Sequence, residues 1–172
     1  LEVACGTGYW TQFIAPATQS MVATDATAEP LEFARLRPNT ANVCFAQVDA
    51  YNIPAELGQS DGAFAGLWFS HVPIGSRHAF LASLHTRLTP GARIVLLDNS
   101  EVQCRDFPIV ERDDDGNTFQ LRELRDSSMH RVLKNFPTEP ELTSLLAPFS
   151  DRIAFKMLEN FWLLEYELQE TS

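Results

Sequence analysis

Apolar residues fall along this chain in short runs separated by helical patterns, and the alternation is regular through the first hundred or so positions. Leu1 to Ala4 reads as the tail of a buried strand, after which Trp10, Phe13, Ile14 and Ala17 recur at helical spacing. Met21 to Thr24 is a second short strand, ending at Asp25. Glu29 to Arg37 reads as a short helix stopped by Pro38. Val43 to Val48 is a third strand and Gly62 to Phe69 a fourth. Arg77 to Leu88 predicts a helix, because Phe80, Leu81, Leu84 and Leu88 share one face. Pro90-Gly91 then turns the chain into a fifth strand, Arg93 to Leu97. Strand–helix alternation of this kind predicts an α/β fold of βαβ units, doubly wound, with helices on both faces of a parallel sheet.

The last third has a different pattern. Asp115-Gly116 is a two-residue hairpin signal flanked by Phe107 to Glu111 and Thr118 to Leu124. Thr138 and Glu141 form a capping box ahead of Leu142, Leu145 and Leu146. Ile153 to Leu158 and Phe161 to Leu168 read as two closing strands, an antiparallel finish that many parallel sheets carry. No linker or repeat interrupts the pattern, so residues 1–172 are read as a single domain.

Composition narrows the function classes. The 172 residues are 45% apolar and 21% charged, ordinary for a soluble domain with one core. The longest apolar runs, such as Ile94 to Leu97, are far too short to span a bilayer. A net charge of −10 repels polyanions, which argues against nucleic acid and for a small-molecule acceptor as partner. Cys5, Cys44 and Cys104 are odd in number and lack a C-x-x-C pair, which points away from disulfides and zinc and towards reduced thiols in a cytoplasmic protein. Nothing in the pattern speaks to oligomeric state.

Candidate chemistry concentrates in Leu1-Glu2-Val3-Ala4-Cys5-Gly6-Thr7-Gly8, where a strand runs into a glycine-rich turn and a helix begins near Tyr9. Glycines let the backbone approach a ligand with no Cβ in the way. In open α/β sheets ligands bind beyond the carboxyl ends of the strands. Such a turn also occurs for tight packing alone. Asp25, seventeen positions after Gly8, is the next acid at a strand end. A carboxylate there either accepts hydrogen bonds from both hydroxyls of a ribose or caps a turn. Asp49-Ala50-Tyr51 follows the third strand, where Asp49 suits an adenine amino group and Tyr51 or Ile53 the ring. Its weight comes from standing in order behind the other two.

Taken together these residues resemble the class I S-adenosylmethionine-dependent methyltransferases. That family's acid-x-Gly-x-Gly-x-Gly loop is matched by Glu2, Gly6 and Gly8, with Ala4 in place of the first glycine. Thr24-Asp25 resembles the ribose acid, and Asp49-Ala50 the adenine site. Ser60-Asp61-Gly62 through His71-Val72-Pro73 resembles the fourth strand and its loop, and Leu88-Thr89-Pro90-Gly91 through Asp98 the turn into the fifth strand. The resemblance covers nearly the whole chain. It implies strand order 3-2-1-4-5-7-6 with strand 7 antiparallel, and S-adenosylmethionine as cofactor. Cofactor contacts are expected from Glu2, Ala4, Cys5, Gly6, Thr7 and Gly8, from Asp25 and Ala26, from Asp49, Ala50 and Tyr51, and from Trp68 and Phe69. The chain opens on Leu1 and is expected to lack the helical segment that precedes the first strand in the family.

Methyl transfer asks mainly for alignment and exclusion of water, with a general base only where the nucleophile is protonated. His71, just after the fourth strand, is the candidate base; the alternative is a histidine that shapes its loop. Trp68 and Phe69 are either pocket wall or sheet core. Tyr9, His71 and Arg122 are the candidate acceptor contacts. Cys5 reads as a packing residue. Asp113, Asp114 and Asp115 read as a solvated hairpin tip, not a metal loop, because Arg122 stands where a calcium loop needs glutamate. Arg105, Arg122, Arg125, Arg131 and Lys134 either meet an acidic acceptor or pair with surface acids. Two rivals remain. A nicotinamide oxidoreductase would need a third glycine where Thr11 stands. A non-catalytic binding module would keep the fold without turnover.

Overall fold

The computed structural model describes residues 1–124 and 126–169. In chain order the elements are α1 (Thr11–Ile14), β1 (Met21–Asp25), α2 (Ala28–Ala34), β2 (Val43–Gln47), β3 (Ser60–Gly66), α3 (Arg77–His85) and β4 (Leu88–Asn99). They continue with β5 (Ile109–Arg112), β6 (Thr118–Glu123), β7 (Met129–Leu133), α4 (Glu139–Leu146), β8 (Ile153–Met157) and β9 (Phe161–Glu167). The α/β alternation is present, with β1 parallel to β2, β3 parallel to β4, and β9 antiparallel to both β4 and β8.

The order 3-2-1-4-5-7-6 does not appear as one unbroken ladder. The strands divide into β1-β2 and β3-β4-β9-β8. Leu1 to Ala4, the expected first strand, reduces to a bridge at Glu2, which pairs in parallel with Ala23 on one side and Phe64 on the other. Backbone bonds hold it from both flanks: Glu2 N donates to Val22 O at 2.8 Å, and Val3 N to Phe64 O at 2.9 Å. The run stops because Ala4 and Gly6 both take φ 54°, which turns the chain out of the extended region.

Other boundaries shift for similar local reasons. The fourth run was expected to reach Phe69, but β3 ends at Gly66; Leu67 has φ 58°, and Phe69–His71 form a 3-10 turn. The helix expected to end at Leu88 ends at His85, and Leu88 already belongs to β4. Pro90-Gly91 lies inside β4 as an irregularity: the register with β3 jumps from Ser60–Leu88 to Gly62–Arg93. The first helix is one turn of α geometry, since Pro16 diverts Ala15–Ala17 into a 3-10 turn. The capping box forms as expected, with Glu141 Oε2 accepting from Thr138 N at 2.7 Å. The hairpin of β5 and β6 gains a partner the pattern did not show, β7, giving a separate three-stranded antiparallel sheet.

One core carries the fold. Phe80, Leu81 and Leu84 of α3 and Leu142 and Leu146 of α4 pack with Ile94 and Leu96 of β4 and Trp162, Leu164 and Tyr166 of β9. Burying side chains of this size contributes roughly 1.5–3 kcal/mol each. A smaller cluster gathers Cys5, Ala23 and Leu31 beneath the glycine turn. Among the described residues no helix is long and apolar enough to cross a membrane.

Candidate functional site

The glycine turn, Asp25, Asp49 and His71 follow the carboxyl ends of the Glu2 bridge, β1, β2 and β3 respectively. The turn after Glu2 is built from beneath. Glu2 is 1% exposed, and its Oε2 accepts a hydrogen bond from Thr11 Oγ1 at 2.5 Å. Burial raises its carboxyl to about 7, against the opposing pull of the Thr11 bond. Glu2 thus ties the turn to α1 from inside the protein. Thr11, where a nicotinamide fingerprint would have its third glycine, is fully buried on that carboxyl.

The two glycines of the turn have different duties. Gly8 has φ 73°, and a Cβ there would sit 3.0 Å from Ala34 Cα of α2, so close packing demands glycine. Gly6 has φ 54°, and a Cβ there would meet nothing within 4 Å. The space over Gly6 is open, as a ligand cradle requires. Ala4 holds the left-handed φ of 54° that glycine accepts more readily. Thr7 is exposed and takes Arg37 Nε on its carbonyl at 2.9 Å. Cys5 lies 8% exposed with its thiol pushed up to about 12, first by burial and then by Glu2 and Asp25, so it stays protonated.

Asp25 closes on this turn from the end of β1. Its Oδ2 accepts from Gly6 N at 2.9 Å, and its Oδ1 accepts from Thr27 N at 3.0 Å and Thr27 Oγ1 at 2.9 Å. A carboxylate offers about four acceptor positions. One therefore stays open on Oδ2, and rotation of the exposed Thr27 hydroxyl frees a second. Ala26, next in the chain, is exposed. Asp49 is exposed and accepts from Tyr51 N at 2.9 Å; Ala50 and Ile53 are buried behind it. Tyr51 meets Trp68 edge-on, ring centres 6.4 Å apart, and Phe80 at the same distance. Trp68 carries a buried indole Nε1 without a hydrogen-bond partner. Phe69 is core: 1% exposed, it packs on Phe80 and Trp162.

His71 ends the 3-10 turn after β3. Its Nδ1 lies 2.8 Å from Leu133 O. A carbonyl only accepts, so Nδ1 carries the proton and the neutral ring keeps its lone pair on Nε2. Burial and the neighbouring Lys134 hold the imidazole below its ordinary value, with Asp98 opposing. Of the acceptor candidates, Tyr9 is 54% exposed and packs edge-on against Trp10. Arg122 stacks its guanidinium 3.5 Å over the Phe107 ring and donates to Gln120 Oε1 at 2.9 Å.

The structure brings Gly6 to Asp25, and Tyr51 to Trp68. The hydrogen bond of Arg122 runs to Gln120, within its own strand β6, and not to the glycine turn. The structure also shows a group that the pattern did not reveal. Lys134, by its sequence context a surface or acceptor-facing cation, has a side chain 3% exposed and pairs with the fully buried Asp98 at 3.2 Å. Among the described residues of its basic cluster, only Arg131 makes the expected surface pair, bidentate to Glu111 at 2.9 and 2.8 Å. Arg105 is exposed, and Arg125 lies outside the described residues. Asp113, in the acidic run, is spent on its own loop, accepting from Asn117 N, Asn117 Nδ2 and Asp115 N.

Strand-end acids around a glycine turn on a sheet of this kind define a class I S-adenosylmethionine-dependent methyltransferase fold. The chain belongs to the family described as methyltransferase domain, which residues 1–91 match. The structure is similar to that of DhpI in its SAM–HEP complex, at 26% identity and TM-score 0.80, covering 96% of this chain and 76% of that one. The DhpI–SAH complex matches at 25% identity and TM-score 0.79, covering 99% and 76%. The N-methyltransferase NodS from Bradyrhizobium japonicum WM9, in complex with S-adenosyl-l-homocysteine, shares the fold at 14% identity and TM-score 0.67, over 98% of this chain and 76% of that one. No curated protein matches the chain.

Proposed function

We propose that this chain transfers the methyl group of S-adenosylmethionine to a small-molecule acceptor and that His71 is its general base. The observation that carries the reading is the hydrogen bond between Gly6 N and Asp25 Oδ2, which joins the glycine turn to the strand-end acid beneath open space. When bound, the cofactor supplies a methyl group already activated by positive sulfur. The chain supplies the rest. Asp25 accepts from the ribose hydroxyls, and Asp49 from the adenine amino group. Tyr51 and Trp68 wall the site, backed by Phe80, on which Phe69 packs from the core. Ala4, Cys5, Thr7 and Ala26 shape the backbone around these contacts, and Glu2 braces the turn from below.

His71 then takes the proton from an acceptor hydroxyl on Nε2, while Nδ1 stays on the Leu133 carbonyl. Tyr9 and Arg122 stand as acceptor contacts at the rim. The bridge at Glu2, flanked by Ala23 and Phe64, supports the family's strand order 3-2-1-4-5-7-6 and a single domain over the whole chain. The charge of −10 supports a small acceptor over nucleic acid, and the three free cysteines suit the cytoplasm. Incubation with S-adenosylmethionine labelled in its methyl group, across a panel of small hydroxyl, amine and thiol acceptors, tests the reading. Label should move to a small acceptor. Calorimetry showing no binding of the cofactor or its demethylated product would refute it.

A further inference from the structure

We propose that Lys134 is the positioning residue for His71: its buried ammonium clamps the turn that carries the imidazole between the end of β4 and the segment after β7, and so fixes the ring as the Nδ1–H tautomer. The inference rests on the reading of His71 as the base. Lys134 Nζ donates to Ser70 Oγ at 2.7 Å, to Asn99 Oδ1 at 2.9 Å and to Asp98 Oδ1 at 3.2 Å. Asp98 takes the same turn from its other side, accepting Ser70 N at 2.8 Å and Ser70 Oγ at 2.9 Å. On the neighbouring backbone, Asn135 N donates to Ser70 O at 2.8 Å and Leu133 O receives His71 Nδ1 at 2.8 Å. Residues 133–135 therefore grip residues 70 and 71 by backbone on both flanks of the Lys134 side chain.

A lysine is rarely shut off from water without a reason for the charge. Here the charge has a chemical consequence one residue away. Burial disfavours the imidazolium of His71 most, Lys134 and then Arg122 add to that, and Asp98 and the Leu133 carbonyl favour it. The clamp thus joins the three-stranded sheet to the candidate base through the base's tautomer. Lys134 itself touches no reacting atom; it acts through Ser70 and the Leu133 carbonyl.

The test reads the ring, not turnover, so it is independent of whether His71 proves to be the base. The whole chain, labelled with ¹⁵N, is followed by imidazole ¹H–¹⁵N correlation from about pH 5 to 8, the range in which histidine titrates. Wild type should show one neutral tautomer, protonated on Nδ1. Lys134→Met should lose that single-tautomer signature and titrate at higher pH, because Asp98 is left unopposed. Should Lys134→Met fail to fold, Lys134→Met/Asp98→Asn removes both buried charges; it should fold and still lose the fixed tautomer. Retention of the wild-type tautomer in either folded variant, judged by a dispersed amide spectrum, overturns the proposal.

Discussion

The carboxyl of Glu2 accepts the hydroxyl of Thr11 at 2.5 Å in a site closed to water, directly under the glycine turn. Burial of this carboxyl, opposed by the Thr11 bond, makes stability fall with rising pH. Burial raises the Glu2 carboxyl from 4.5 to about 7, so between those values the folded chain holds a proton that the unfolded chain has lost. The contribution is fully present below about pH 4.5 and is lost as pH rises through about 7, an effect of about 3 kcal/mol. Urea midpoints at pH 5 and pH 7.5 should differ in this direction for wild type, and the difference should shrink in Glu2→Gln. An unchanged pH dependence in Glu2→Gln would remove Glu2 as its source.

Asp25→Ala should weaken binding of S-adenosylhomocysteine by about 1.5–3 kcal/mol, the range for hydrogen bonds to a charged group, or roughly 10–150-fold in Kd. Part of that loss comes through Gly6, whose N–H would lose its partner. Calorimetry on the two proteins measures it. Equal affinities place the ribose elsewhere.

Gly6→Ala and Gly8→Ala should separate packing from binding. Both impose a left-handed conformation on alanine, about 1–2 kcal/mol. Gly8→Ala also drives a Cβ to 3.0 Å from Ala34 Cα, while Gly6→Ala meets open space. Thermal unfolding should therefore drop further for Gly8→Ala. Calorimetry should show the larger affinity loss per unit of lost stability for Gly6→Ala. The reverse ranking would mean that the open space over Gly6 is not the ligand cradle.

Lys134→Met should cost about 3–5 kcal/mol of stability, because it leaves Asp98 charged and unpaired at 0% side-chain exposure. The double change Lys134→Met/Asp98→Asn should recover most of it. Denaturant titration of wild type, Lys134→Met, Asp98→Asn and the double variant gives the coupling directly.

The glycine turn and Asp25 were legible because their spacing is local: a strand, a turn that needs positive φ, and an acid at the next strand end. The parallel strands were legible for the same reason, since β-branched and apolar runs mark them without reference to partners. Lys134 was not. Nothing in Val132-Leu133-Lys134-Asn135 distinguishes a clamped ammonium from a solvated one, because its three acceptors come from residues 70, 98 and 99. Strand β7 escaped for a related reason. Met129, His130 and Arg131 are all exposed, so no period-two burial pattern exists to be read. Its pairing with β6 is a tertiary fact. Phe69 shows the converse limit, since an aromatic after a strand reads equally as pocket wall or core, and only its contacts with Phe80 and Trp162 decide.

The Leu133 carbonyl fixes the proton of His71 on Nδ1 and leaves Nε2 as the free lone pair, which is the arrangement a base requires. Burial and Lys134 keep the ring neutral below its ordinary titration range, so kcat/KM with a hydroxyl acceptor should hold its plateau to a lower pH than an exposed histidine near 6.5 would allow. His71→Asn retains polarity but removes the base. It should lower kcat by about 10²–10⁴-fold at neutral pH and leave cofactor affinity nearly intact. The residual rate should also lose the acid limb of its pH profile, because the group that titrated there is gone. Rates of wild type and His71→Asn across pH, with calorimetry of S-adenosylhomocysteine alongside, measure both effects. A variant that keeps its kcat shows that the reaction runs on alignment alone. A collapse of cofactor affinity in the same variant shows that the ring holds its loop in place. An acceptor already unprotonated, such as a thiolate, should be methylated equally well by both proteins, so the comparison across acceptors separates a missing base from a displaced loop.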